Sequence, residues 1–499
     1  MSTILSKTDF LLYRECPKNA WLKLHKPKVY YSNELSEFEK TIIETGNEVE
    51  SVARKIFPSG VLIKGRDKED RVKTLKLVAQ KSETIFQAVF VKDQLFAATD
   101  ILQFDQKSKK WLLIEVKASN SVKDKIHLYD LAFQTILLKK IGLELESVNI
   151  LHLNPKYIRN GELDIFKLFV ADNATDKVNE LIPQVEEEIQ SALKYLSQET
   201  EPSGFCSCIY KGRSAHCTTF SYSNPQVPEY SVHDIARIGV SKAKLTELID
   251  GNIFNIQDIP EYIELSDIQK NQVNAHITKR PLIRRDMINS ELENLVYPLY
   301  FLDYETFPAA IPRFDGFSPY QQIPFQYSLH IVESAESEPK HLEFLHTGTG
   351  DPGPTFAESL KKDIGPIGTV VVWNKKFECK INEELARRIP SMKKFIENVN
   401  NRVYDLMDVF SKQYYVHHNF QGSTSIKYIL PVLAPELSYK QLEIQEGGTA
   451  TQRWNELTTG NLSDSEKETI AKNLREYCKL DTFAMFKIWE RLFNNSSTY

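Results

Sequence analysis

Residues 298–308 read PLYFLDYETFP. Apolar and aromatic residues fill the stretch as in a buried strand, yet Asp303 and Glu305 stand in its middle. Side chains alternate faces along a strand, so residues i and i+2 point the same way. The two carboxylates therefore share a face, where they repel unless a cation or a proton joins them. A pair of divalent ions about 4 Å apart would relieve that repulsion and set up in-line displacement at a phosphoryl group. A buried acid pair satisfied by hydrogen bonds is the plainer alternative.

A metal-holding site needs further acids, and candidates follow in order. GTVVVWNKKFECKINEEL (368–385) reads as an apolar strand, a turn and a helix with Glu378 at its start. LREYCKLDTFAMFKIWERL (474–492) reads as a helix carrying Tyr477 and Asp481. Spacing i, i+4 puts both on one helical face, so Tyr477 can orient a water while Asp481 holds a metal. Asp405, in VYDLMDVF, is a possible supporting acid.

This order resembles the DnaQ-like 3′–5′ exonucleases of the tyrosine subclass, called DEDDy, with D-x-E on a strand, N-x-x-F-D, then Y-x-x-x-D. The resemblance implies an RNase H-like (DnaQ-type) fold. It makes Asp303, Glu305, Glu378 and Asp481 the metal ligands and Tyr477 the residue orienting the nucleophilic water. The second motif here, NKKFE, ends in glutamate where that superfamily carries aspartate. The extra methylene shifts the carboxylate.

A second acidic constellation lies nearer the N-terminus. AVFVKDQLFAATDILQF (88–104) and KKWLLIEVKAS (109–119) read as strands joined by the polar turn DQKSKK. Glu115 and Lys117 share a strand face, and Asp100 can lie beside them if the strands pair as a hairpin. Such a set can hold Mg²⁺ or Mn²⁺ through oxygen ligands, with the lysine positioning hydroxide or stabilising phosphoryl charge. An ordinary Glu–Lys pair on a strand edge is the alternative, but unpaired charge ending an apolar strand is costly. An amphipathic helix, KIHLYDLAFQTILLKKIGL (125–143), follows.

GNEVESVARKIFP, AATD, IEVKAS and DLAFQ are similar to the successive motifs of RecB-type PD-(D/E)XK (restriction-endonuclease-like) nucleases. By that resemblance Asp100 and Glu115 are metal ligands, Lys117 is the catalytic lysine, and Gln134 belongs to the helical motif. The family often carries a histidine ligand four residues after a glycine in its first helix. At that spacing from Gly46 this chain has Glu50, with Glu48 nearby.

Six cysteines are present: Cys16, Cys206, Cys208, Cys217, Cys379 and Cys478. Three fall within 206–217, which points to metal ligation or a redox site. Cys379 and Cys478 read as small buried residues. Iron–sulfur members of the RecB-type group carry one cysteine before the nuclease core and three after it. That resemblance implies a structural [4Fe–4S] cluster on Cys16, Cys206, Cys208 and Cys217, with zinc as the alternative. The tight C-x-C pair departs from the usual wider spacing, and His216 could replace one ligand.

At 499 residues the chain is long enough for about three domains at roughly 150 residues each. The expected class is α/β. A PD-(D/E)XK domain with the cysteine set covers 1–225, a helical connector 226–290, and an RNase H-like domain 291–499. HDIARIGVSKAKLTELIDGNIFNIQDIP in the connector loosely resembles helix–hairpin–helix modules that offer N–H groups to phosphate; a plain helical linker is equally open. A formal net charge of −5 advertises no global basic field, although a local positive channel suffices for an enzyme. Lys107, Lys109, Lys110, Lys123 and Lys125 could contact phosphate near the first constellation, or be solvated surface. The N-terminus lacks a secretory pattern, and no run of about 18 apolar residues could span a bilayer. The expected location is cytoplasmic, with no membrane partner.

The combined order is similar to an uncharacterised bacterial family of nuclease fusions. It implies a metal-dependent nuclease with two centres, for which DNA is the expected substrate. The alternatives are a catalytically reduced nucleic-acid-binding protein and an RNA-processing exonuclease.

Overall fold

The computed structural model describes residues 4–31 and 37–496. The chain forms two α/β units. One comprises Met1–Gln226 with Ala310–Gln321, the other Val227–Ala309 with Gln322–Tyr499. All but the first residue of the connector expected at 226–290 thus falls within the second unit, and the segment 310–321 within the first. Among the described residues, no helix is long and apolar enough to cross a membrane.

The first unit is built on seven strands: β1 (Leu5–Ser6), β2 (Val61–Leu62), β3 (Thr84–Lys92), β4 (Leu95–Phe104), β5 (Trp111–Lys117), β6 (Leu145–Leu153) and β7 (Phe169–Asn173). They run in the order β2-β3-β4-β5-β6-β7, with β1 pairing β4. β3, β4 and β5 form an antiparallel meander. Helix Asp124–Ile141 then carries the chain across to β6, which pairs parallel to β5. These strands are apolar on both faces because both are covered. Ile85, Leu102 and Leu113 pack with Leu131, Phe133 and Leu137 of helix Asp124–Ile141. Phe86, Ile101 and Ile114 pack with Val49, Val52 and Ala53 of helix Glu37–Arg54.

The second unit holds β8 (Leu282–Ile283), β9 (Leu299–Pro308), β10 (Gln322–Val332), β11 (Lys340–Leu345), β12 (Thr369–Val372), β13 (Val403–Asp405) and β14 (Tyr415–Val416). Five of them form a sheet in the order β11-β10-β9-β12-β13, and β8 pairs separately with β14. β9, β10 and β11 are antiparallel neighbours, whereas β12 runs parallel to β9 and β13 parallel to β12. Tyr300, Leu302 and Tyr304 face a core with Phe356, Ile381 and Leu385 from helices Gly353–Asp363 and Lys375–Arg388. Alternate residues face the other way. Phe301 meets Phe486 and Trp489 of the long helix Asp464–Ser496 at ring distances of 5.8 and 5.7 Å. Parity along β9 therefore puts Asp303 and Glu305 on the face beneath that helix. The helical part of the connector region comprises Lys242–Asp250, Asp267–Thr278 and Arg285–Glu293.

The turn leading into β12 fixes its parallel register against β9. Gly368 sits there at φ +94°, and a side chain would run into the Pro298 carbonyl. Arg402 ties the turn down by donating to the carbonyls of Gly365, Ile367 and Gly368 at 2.6–2.8 Å. Gly368→Ala should therefore destabilise the protein by about 2 kcal/mol or more, read as a lower denaturant midpoint.

Candidate functional site

In the second unit, β9 presents Asp303 and Glu305 to helix Asp464–Ser496, which returns Asp481 to meet them. Ligand oxygens of the three carboxylates lie within 4.8 Å of one another. Asp481 Oδ1 accepts a 2.6 Å hydrogen bond from Tyr439, and Tyr477, one turn earlier on the helix, also bonds Asp481. Cys478 Sγ stands 3.8 Å from Asp303 Oδ2. Helix Gly447–Thr459 begins at the same place: a Cβ on Gly447 would lie 3.8 Å from Tyr477 Oη and 3.9 Å from Glu305 Oε2.

These acids are hard to ionise together. Burial, then the neighbouring Asp481 and Glu305, raise Asp303 well above the ordinary carboxylate range. Burial and Asp481 do the same to Glu305. Burial lifts Asp481 to about 7, against the Tyr439 hydrogen bond, the Lys427 ammonium and the Tyr477 hydrogen bond. Burial likewise pushes up the Tyr477 phenol, which stays protonated and able to donate.

Glu378 stands apart from this close trio. It lies buried in the first turn of helix Lys375–Arg388, raised to about 8 by its burial, and its charge still reaches Asp303. Its Oε2 has no hydrogen-bond partner among the described residues. Asp405 does structural work: its carboxylate accepts the N–H groups of Lys375 and Met407 at 3.0 and 3.1 Å. Tyr439 and Lys427 were not singled out in the sequence, because nothing in their local spacing marks them as partners of Asp481.

The first unit gathers its residues differently. Asp100 Oδ2 accepts the Val116 N–H at 2.8 Å, which binds it to the neighbouring strand. Gln87, opposite it on β3, takes a left-handed backbone at φ 52° and donates to Asp100 and to Glu50, at 3.3 and 2.8 Å. A non-glycine residue rarely adopts that conformation, and here it aims one amide at two acids. Glu50 is therefore the glutamate that joins the group, and it also pairs with Arg54 at 3.0 Å. Glu48 sits in the field of Arg313, with burial raising its carboxyl.

Glu115 is fully engaged by protein donors. Its oxygens accept from Lys117 at 2.8 Å, Lys7 at 2.9 and 3.2 Å, and Gln134 at 2.7 Å. Lys117 and Gln134 also meet Asp130 at 2.8 Å each. Burial would raise Glu115, but the Lys117 and Lys7 charges outweigh it and hold the carboxyl well below its usual range. Asp100, by contrast, is lifted to about 7 by burial and by Glu115. Lys7 lies 108 residues from Glu115 in sequence and carries no local signal. Asp130 did carry one, four residues before Gln134 on the same helix.

The third cluster joins Cys16, Cys206, Cys208 and Cys217, whose sulfurs lie within 4.8 Å of one another. Hydrogen bonds from Cys206, Cys208 and Cys217 pull the Cys16 thiol far below its ordinary range. His216 is turned elsewhere: its Nε2 lies 3.0 Å from the Lys211 carbonyl and its ring stacks on Phe220. Cys379 and Cys478 remain outside the cluster.

The raised acids of the second unit predict a pH dependence. A folded carboxyl with a raised pKa binds more protons than its unfolded counterpart between about pH 4 and pH 7. The acid cluster's contribution to the stability of the metal-free protein should therefore fall as pH rises through that window. Added Mn²⁺ should raise the melting temperature more at about pH 8 than at about pH 5.5, by calorimetry. Asp303→Asn should raise the metal-free melting temperature at the higher pH and shrink the Mn²⁺ gain.

Comparison with known proteins gives relatives without an assigned activity. The model of a domain of unknown function, DUF2779, matches residues 300–425, which include Asp303, Glu305 and Glu378. Uncharacterized protein UU173 of Ureaplasma parvum is 26% identical over 211 residues, covering 38% of this chain and 30% of its own. Uncharacterized protein MG366 of Mycoplasma genitalium and its Mycoplasma pneumoniae homolog are each 26% identical over 206 residues, covering 38% of this chain and 31% of their own. The chain thus spans about a third of the length of the curated relatives it matches.

Proposed function

We propose that the protein is a metal-dependent nuclease whose principal centre is the Asp303–Glu305–Asp481 cluster. The convergence of these three acids with Tyr477 carries the reading. The strand order β11-β10-β9-β12-β13, with its antiparallel and parallel halves, supports an RNase H-like fold for the second unit. The meander, crossing helix and parallel strand of the first support a PD-(D/E)XK core.

Three carboxylates crowded in an apolar interface fit Mg²⁺ or Mn²⁺, since hard cations take oxygen ligands and remove the repulsion. Such an ion, when bound, supplies Lewis acidity and lowers the pKa of a coordinated water. Asp303, Glu305 and Asp481 would hold it. Tyr477 keeps its proton and so can orient the attacking water by hydrogen bonding. Glu378, with a buried oxygen lacking a partner, is available to a second ion or a water. Together these features suit hydrolytic trimming of 3′ ends, with DNA the first substrate to try and RNA the alternative. Six unpaired cysteines fit a reducing, cytoplasmic setting.

The first unit favours a second reading for its own centre. Glu115 already accepts from two lysines and a glutamine, so a cation there must displace Lys7. That centre is a latent or nucleic-acid-binding one unless Lys7 withdraws.

End-labelled DNA and RNA incubated with Mn²⁺ test both readings. Stepwise 3′ shortening by the native protein is expected, falling to background in Asp303→Asn and by about a hundredfold in Tyr477→Phe. Lys117→Ala should leave the 3′ shortening intact. Lys7→Ala should open the first centre, detected as new internal cleavage products or tighter Mn²⁺ binding. Native protein that shortens neither nucleic acid contradicts the nuclease reading.

A further inference from the structure

We propose that Cys16, Cys206, Cys208 and Cys217 bind one tetrahedral zinc ion, and not the iron–sulfur cluster that the sequence resemblance implies. The inference goes beyond the nuclease reading and does not rest on it.

Sulfur spacing separates the two cofactors. Four thiolates around one zinc, with Zn–S bonds of about 2.3 Å, stand about 3.8 Å apart at the corners of a regular tetrahedron. A [4Fe–4S] cubane has its own bulk, and its cysteine sulfurs sit about 6 Å apart on its outer corners. Here all four sulfurs lie within 4.8 Å of one another, and Cys206 and Cys217 are 3.9 Å apart. A cubane would have to push the four outward.

The backbone carrying the sulfurs is locally hydrogen-bonded. Cys16 lies between two helices, its N–H donating to the Leu12 carbonyl at 2.9 Å and its carbonyl accepting from Ala20 at 3.1 Å. Cys206 begins the tight turn Ser207–Tyr210 that brings Cys208 back beside it, which explains the close C-x-C pair. Cys16, Cys206 and Cys208 are buried.

The surroundings also suit a thiolate-rich ion. Asn224 Nδ2 donates to Cys206 Sγ at 3.2 Å, and Asn224 is itself held by the Cys206 N–H and the Phe220 carbonyl. The Thr219 hydroxyl lies 3.8 Å from Cys217 Sγ. Such donors fix ligand orientation and offset thiolate charge. The His216 ring, held by stacking and by the Lys211 carbonyl, leaves the ligand set all-cysteine.

The test uses the full chain, expressed with both iron and zinc supplied and purified without oxygen so that a labile cluster would survive. Elemental and sulfide analysis should give one zinc per chain, no acid-labile sulfide and no visible charge-transfer absorption. Protein produced with cobalt should show the intense visible bands of tetrahedral cobalt thiolate. His216→Ala should keep the full zinc content, and Cys208→Ser should lower it. Iron accompanied by sulfide, a metal-free chain, or loss of zinc in His216→Ala would overturn the assignment.

Discussion

The second unit is organised around an electrostatic conflict. Asp303, Glu305 and Asp481 are packed together beneath a helix that also meets the sheet through aromatic rings and through Thr482, which lies within hydrogen-bond distance of Ser328 and His330. Carboxylates less than 5 Å apart repel by about 3–4 kcal/mol per ionised pair at an effective dielectric near 20. The fold tolerates this because β9 and helix Asp464–Ser496 are secured by Phe301, Phe486 and Trp489, independently of the acids. Protons can hold the cluster neutral. A divalent cation can do so and be useful.

The first unit settles a similar concentration of acid in the opposite way. Lys7 and Lys117 neutralise Glu115 and Asp130, and Arg54 and Gln87 engage Glu50. Most of its charges are met from within, Asp100 excepted, whereas in the second unit the Lys427 charge offsets Glu305 and Asp481 in part. The same residue types thus produce two different electrostatic states. The difference lies in whether a lysine is folded into the acid cluster.

Much of this was legible in the sequence, for a physical reason. Period-two and i, i+4 spacing are local rules, so the shared face of Asp303 and Glu305 and the pairing of Tyr477 with Asp481 follow from a few residues. Asp100, Glu115, Lys117 and Gln134 are gathered by adjacent strands and one helix, again within a short span. What stayed hidden comes from distant or irregular chain. Lys7 arrives from the N-terminus, Tyr439 from a short turn, and Gln87 acts through a left-handed backbone that a strand pattern does not announce. The choice between Glu48 and Glu50 depended on helix rotation against the sheet. The ligand set at the cysteines was readable from spacing; the distance between sulfurs, which bears on the cofactor, was not.

Burial and mutual repulsion keep protons on the acids beneath helix Asp464–Ser496 until a cation replaces them. Calorimetric titration of Mn²⁺ in buffers of different ionisation enthalpy measures proton release directly. At about pH 6.5, binding should release at least about one proton per chain, with less released at about pH 9 and none from the Asp303 site in Asp303→Asn. Mn²⁺ binding that releases no protons at the lower pH, or releases them equally in Asp303→Asn, would contradict the account.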